Sequence, residues 1–266
     1  MHLATLTKSL DCAIDDGLAH IVLNQPDRGN PIDGEFCREF SLCIAELSER
    51  TDVRSVLLSA RGRLFSVGGD LSLLIKQGDA LPRTIKAWTA DLHAAIARMI
   101  RMRAPVVAAV HGNVAGGSVS LMAAADLVII AESARISSAF SKIGFSPDSG
   151  STTTVTRRIG AARARRFFLL GETLDANMAL SLGLVDHVVA SDAVQGEAER
   201  MARELATGPT EAYSAIKRLF AQALDRSLES QMEEEAQTLA AISRTVDARE
   251  GVKAFIEKRK PVFVGH

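Results

Sequence analysis

Between residue 12 and about residue 190, short runs that are almost wholly apolar alternate with longer stretches in which apolar residues return every three or four positions. The first pattern suits strands buried on both faces, the second amphipathic helices. Residues 12–14 and 18–23 flank Asp15-Asp16-Gly17 and predict a β-hairpin closed by the Asp-Gly turn. Phe36, Phe40, Cys43, Ile44 and Leu47 mark one face of a helix, and SVLLS at 55–59 marks a buried strand. The next helix carries Ile85, Trp88, Leu92, Ile96, Met99 and Ile100. It is expected to stop near Ala104, because Pro105 disfavours helical geometry in its predecessor. Residues 106–110 predict a strand, 116–124 a glycine turn leading into a small-residue helix, and 127–130 another strand. Strands alternating with helices imply βαβ units and an α/β fold.

The pattern becomes helical over 161–170, closed by Gly171, and again from Asp175, a helix N-cap, to near Gly183. A short strand at 184–189 precedes a break at Thr207-Gly208-Pro209. Residues 210–257 predict two or three amphipathic helices, with Leu228, Met232, Ala236, Leu239 and Ile242 on one stripe and Glu233–Glu235 on the other face. We therefore divide the chain into a core over 1–206 and a helical segment over 207–266. Such a segment needs a surface to lie on, its own core or a neighbour's.

Composition narrows the function. Hydrophobic residues make up 47% and charged residues 24%, and the net charge is −1, so neither disorder nor a nucleic-acid partner is indicated. The expected partner is a small molecule or another subunit. Cys12, Cys37 and Cys43 match no metal-site spacing, and an odd count suits a reducing cytosol. The opening stretch, MHLATLTKSLDCAIDDG, lacks the apolar core of a signal peptide, and no run of about 18 apolar residues occurs. A cytoplasmic protein without a membrane or metal partner is expected.

Two glycine-containing segments, GRLFSVGGDL at 62–71 and VHGNVAGGSVSL at 110–121, each follow a strand and open a helix. Glycine lets backbone approach a ligand closely, and a helix start leaves N–H groups free to face negative charge. Each segment can supply one oxyanion donor, or can be a plain strand-to-helix turn. Pro147-Asp148-Ser149-Gly150 is locally a turn as well, and it places one carboxylate in a stretch of small, aromatic and hydroxyl residues.

Asn24-x-Pro26, LFSVGGDL, Pro105-Val-Val-Ala-Ala-Val-His-Gly-Asn-Val-Ala-Gly-Gly, Asp126-Leu-Val-Ile-Ile-Ala and the terminal AFIEKRKPVFVG occur in an order that resembles the crotonase superfamily, the enoyl-CoA hydratase/isomerase family. The resemblance covers nearly the whole chain. It implies a ββα spiral superhelix forming two near-perpendicular sheets, with a C-terminal helical segment used in trimerisation, as a homotrimer or a dimer of trimers. It implies an acyl-CoA substrate, with coenzyme A present as part of the thioester and no permanently bound cofactor. The thioester oxygen would be held by the backbone N–H groups of Gly69 and Gly117. Coenzyme A would lie against Ser66, Val67 and Gly68, with Arg28, and Lys258 or Lys260 of the tail, near its phosphates.

In hydratases of the family two glutamates position water and move the proton. Their places here are Ser120 and Phe140, neither of which is a carboxylate, and both, with His93, are expected at the substrate pocket. Asp148 is the remaining acid, and its context resembles the isomerase branch, which includes Δ3,Δ2-enoyl-CoA isomerases and the phenylacetate-pathway ring-opening isomerase. That implies Asp148 as a proton shuttle from C2 to C4 of a 3-enoyl-CoA. Two alternatives use the same frame. One is 4-chlorobenzoyl-CoA dehalogenase-like hydrolysis, with Asp148 as nucleophile and His93 as base. The other is a catalytically silent CoA-binding protein.

Overall fold

A tight turn starts the fold. Asp16 and Gly17 both take positive φ, which a two-residue hairpin requires, and they join β1 (Leu10–Asp15) to β2 (Leu18–Leu23) in antiparallel register. The computed structural model describes residues 8–266. Residues 1–7, part of the stretch read as lacking a leader's apolar core, lie outside the described residues.

From β2 onward the chain winds in repeated turns of strand, short strand and helix. The first turn continues through β3 (Pro31–Ile32) to α1 (Gly34–Glu49). The second comprises β4 (Ser55–Ala60), β5 (Gly68–Gly69), α2 (Leu71–Ile75) and α3 (Leu81–Arg101). The third holds β6 (Val106–Val110), β7 (Val114–Ala115) and α4 (Gly117–Ala123). The fourth holds β8 (Leu127–Ala131), β9 (Arg135–Ser137), α5 (Ser151–Ile159) and α6 (Ala161–Leu169). β10 (Thr173–Asp175), α7 (Ala176–Leu182), β11 (His187–Val189) and α8 (Val194–Ala206) complete the winding. The first strand of each turn joins a sheet ordered β1-β2-β4-β6-β8-β11, parallel after β2. The short strands form β10-β9-β7 and β3-β5, which an isolated bridge between Ser66 and Val114 links into one strip.

Burial follows the apolar pattern. Every residue of β6 is buried, and α1 turns Phe36, Cys37, Phe40, Cys43, Ile44 and Leu47 inward, with Phe36 and Phe40 stacked at 5.3 Å. Each such aliphatic or aromatic side chain contributes roughly 1.5–3 kcal/mol. The three cysteines are buried and unpaired. Among the described residues no helix is long and apolar enough to cross a membrane, and no group of three or more His, Cys, Asp and Glu side chains is placed to hold a metal ion.

Several elements differ from the sequence expectation. α3 ends at Arg101, with Met102 already extended, so Pro105 acts from further away than expected. The strand expected over 184–189 is only His187–Val189. α5 and α8 were not anticipated. The first opens on Ser151-Thr152-Thr153-Thr154-Val155, where β-branched residues weaken the helical signal. The second buries Val194, Ala198, Ala202 and Ala206, a stripe of mostly small residues.

Past the break at residue 207 come three helices, α9 (Thr210–Gln222), α10 (Leu228–Ile242) and α11 (Val246–Ile256). α9 docks on the core through buried Lys217, whose Nζ lies 2.7 Å from Asp126 Oδ2 and donates to Ala104 O at 2.8 Å. Arg54 ties the tail back by donating to Gly208 O and Phe263 O. The stripe read on α10 faces outward in the single chain: Leu228, Met232 and Leu239 are all exposed.

Candidate active site

Two glycine loops meet where β5 passes into α2 and β7 into α4. Gly68 has φ +83°, and a Cβ there would sit 2.5 Å from Ala115 O, so only glycine lets the loops approach this closely. Gly116 takes φ 56° and ψ −131°, turning the chain into α4. N–H groups alternate in direction along a strand. Asp70 N donates to Ile32 O and Gly68 N to Ser66 Oγ, so the Gly69 N–H between them faces the other way, and Gly69 lines the adjoining cavity. Gly117 is the first residue of α4, where a helix has no internal acceptor for the N–H, and it lines the same cavity.

That cavity is about 400 Å³. Ile32, Leu74, Ile85, Trp88, Leu92 and Phe140 make its walls predominantly apolar. Asp148 is the single carboxylate residue lining it among the described residues. A Cβ on Gly117 would lie 3.3 Å from Asp148 Oδ1, so the carboxylate stands directly beside the α4 donor.

The turn carrying Asp148 is heavily fixed. Ser149, a non-glycine residue, takes φ +55°, a sparsely populated conformation that surroundings must impose. Its N–H donates to His93 Nε2 at 3.0 Å, its carbonyl accepts from the Ser120 hydroxyl, and its own hydroxyl donates to Asp148 Oδ1 at 3.0 Å. Ser151 donates from both N and Oγ to Asp148 O. Burial pushes the Asp148 carboxyl above its ordinary range, opposed by the Ser149 hydroxyl.

This arrangement can polarise a carbonyl oxygen between two N–H donors and move a proton at the adjacent carbon. The enoyl-CoA hydratase/isomerase family model matches residues 13–266. The chain belongs to that family, within the crotonase superfamily. It is 34% identical over 256 residues to 1,2-epoxyphenylacetyl-CoA isomerase of Escherichia coli K12, covering 95% of this chain and 97% of the relative. To trans-2-decenoyl-[acyl-carrier-protein] isomerase of Streptococcus mutans it is 32% identical, covering 95% and 96%. The crystal structure of an enoyl-CoA hydratase from Polaromonas sp. JS666 superposes with a TM-score of 0.90 at 28% identity, over 96% of this chain and 99% of that one. The crotonase-type α/β fold expected from the motifs is the fold observed.

Within this crotonase frame the other candidate residues separate into two groups. Phe140 and Val67 line the cavity with Gly69, Gly117 and Asp148. Ser120 and His93 do not line it. Ser120 is fully buried behind the turn, bonded to Ser149 O and 3.1 Å from Thr154 Oγ1, so it braces the site rather than facing a ligand. His93 stands on α3 with Nε2 engaged by the Ser149 N–H.

Ser66 is buried and does not line the cavity; its N–H donates to Asn113 O, its carbonyl accepts from Ala115 N and its hydroxyl donates to Asn30 O. It shapes the loop from within. Arg28 is engaged with Gln25, Asp33 and Asp70, at 2.5, 2.9 and 2.5 Å. Those aspartates are the N-caps of α1 and α2, accepting from Phe36 N and Leu73 N, so Arg28 clamps two helices that wall the cavity. Lys258 and Lys260 are exposed on the tail and do not line the cavity.

Sequence reasoning missed Ser149, Ser151, Trp88 and Cys37 as site residues. Trp88 and Cys37 line the cavity, and burial, reinforced by nearby Asp33, Asp91 and Asp148, pushes the Cys37 thiol up to about 12. Trp88 carried a helical-face signal, which identifies a core position but not which cavity it borders, and Cys37 was read only for metal spacing and redox compartment. The serines adjoined Asp148 in a turn motif, whose usual reading is local backbone bonding.

Proposed function

We propose that this enzyme isomerises an enoyl-CoA, shifting a 3-enoyl thioester to the 2-enoyl form. The observation that carries the reading is the position of Asp148 Oδ1 beside Gly117 in a cavity with no other carboxylate among the described residues. The thioester oxygen lies between the Gly69 and Gly117 N–H groups, and Asp148, ionised, removes a proton from C2. Negative charge then spreads onto the oxygen of the dienolate. Each N–H is worth about 3–4 kcal/mol to that charge if the donors are preorganised, as the close-packed glycine loops support. Asp148, now protonated, returns the proton at C4, and the double bond ends conjugated to the thioester. One carboxylate suffices because the same group takes and gives the proton.

Ser120 and Phe140 at the places of the hydratase glutamates support isomerisation over two-carboxylate hydration. The engagement of His93 Nε2 counts against the hydrolytic reading, which needs a free base beside the turn. A half-buried acid beside the N-terminal glycine of α4 counts against a silent binding protein. The acyl group occupies the apolar cavity and coenzyme A leaves past exposed Val67. Working subunits associate as a trimer, or a dimer of trimers, through the exposed apolar residues of α9–α11.

The test is conversion of a trans-3-enoyl-CoA, followed by the absorbance of the conjugated thioester. The wild type converts it, and Asp148→Asn lowers kcat by at least about a hundredfold, the lower range of general acid–base contributions. Full activity in the variant would remove Asp148 from the mechanism. Release of chloride from 4-chlorobenzoyl-CoA by the wild type would favour the hydrolytic reading instead.

A further inference from the structure

His93 reaches the Asp148 turn from the opposite side of the molecule's site, across 56 residues of sequence, and is the α3 contribution to that turn's hydrogen bonding. The remaining bonds on Asp148 and Ser149 come from Ser149 and Ser151 of the turn itself and from Ser120 of α4. α3 is also the helix that supplies Ile85, Trp88, Thr89 and Leu92 to the cavity wall. A single bond therefore joins the strained turn carrying the carboxylate to the wall against which the acyl chain packs. An imidazole nitrogen that accepts from a backbone N–H is unprotonated, so the ring is neutral with its proton on Nδ1.

We infer that His93 is a positioning residue: its Nε2, as hydrogen-bond acceptor, holds the Ser149 N–H and thereby sets the Asp148 carboxylate over Gly117. This rests on Asp148 being the proton shuttle. The role requires an acceptor and no proton transfer by the imidazole. Losing the bond leaves Ser149, at φ +55°, without its α3 anchor, and the carboxylate wanders from the site beside the donors. Misplacement on the ångström scale is enough to slow a reaction by about a hundredfold.

The experiment compares His93→Leu, His93→Gln and Asp148→Asn in the isomerisation assay, with histidine ring-nitrogen NMR on the wild type. His93→Leu is expected to lower kcat by about tenfold to a hundredfold with KM for the thioester within about twofold. His93→Gln, whose carboxamide oxygen accepts from Ser149 N but cannot carry a proton, is expected to restore most of kcat. The His93 resonances are expected to report the Nδ1–H tautomer. Glutamine as damaging as leucine would overturn the acceptor role, and so would a leucine variant of wild-type kcat. An Nε2–H tautomer would overturn the bond itself, whatever the kinetics. Retained activity in Asp148→Asn would instead sink the shuttle, while the tautomer still reads the His93–Ser149 bond separately.

Discussion

Asp148 is set to work by two opposed influences. Burial disfavours its charged form and raises its pKa, while the Ser149 hydroxyl on Oδ1 favours the charged form and limits the rise. In the proposed mechanism Asp148 acts as base only when ionised, so kcat/KM should fall as pH drops through a value above the ordinary carboxylate range. Ser149→Ala removes the hydroxyl donor, so the acid limb of the pH profile should move to higher pH; a limb that stayed in place would show that the hydroxyl does not tune the acid. Stability runs the opposite way with pH. With a folded pKa above the unfolded one, the folded state holds the proton more tightly, and stability is lost as pH rises from the unfolded value through the folded one. At neutral pH the buried charge therefore opposes folding, and Asp148→Asn should melt at or above the wild-type temperature while losing turnover. A variant that lost activity and melted lower would point to a collapsed turn rather than a missing base.

Among the elements, the glycine loops are the joint on which the donors depend. Gly68→Ala places a methyl 2.5 Å from Ala115 O, which is backbone and cannot rotate away, at a φ that side chains resist. The expected cost is about 1–3 kcal/mol of stability, with a larger proportional fall in kcat because Gly69 and Gly117 separate. Thermal melting and the isomerase assay check both, and an unchanged kcat would remove the loop contact from catalysis. These loops also mark the limit of what the sequence conveys. The strand at 106–110 was legible as an unbroken apolar run and the helix carrying Trp88 and Leu92 by its periodicity, because both patterns encode burial along a whole element. The two-residue strands β3, β5 and β7 are too short to have a period. α8 escaped notice because alanine at every fourth position reads weakly. The Pro147–Gly150 turn was legible as a turn, and family likeness suggested its acid. Its bonds to His93 and Ser120 join segments far apart in the chain, and nothing local in the sequence specifies such meetings.

For the molecule as a whole, the C-terminal helices present a surface that one chain leaves uncovered. Phe220 of α9, Leu224 of the α9–α10 connection and Leu228 of α10 are 76, 77 and 71% exposed, and Met232, Leu239, Phe255 and Ile256 lie open on α10 and α11. Large apolar patches are rare on a monomer and common at an interface. α10 also holds Gln231 Oε1, a buried acceptor with no hydrogen-bond partner among the described residues. An isologous or cyclic contact through these helices repeats the same patch in every subunit, so one substitution acts several times over. Burying each leucine or methionine contributes roughly 1.5–3 kcal/mol, and a carboxylate in its place adds a desolvation cost. Light scattering should give the wild type three or six times the mass of one chain. The double variant Leu228→Glu, Met232→Glu should dissociate it at micromolar concentration. A wild type that runs as a monomer would mean the helices cover nothing, and the uncovered apolar surface should then make the isolated chain prone to aggregation. The Asp148 turn and both glycine loops lie within the core of a single chain, so a dissociated variant that stays folded should keep the Asp148-dependent chemistry. Loss of that chemistry on dissociation, with the melting transition preserved, would place part of the working site across the subunit boundary.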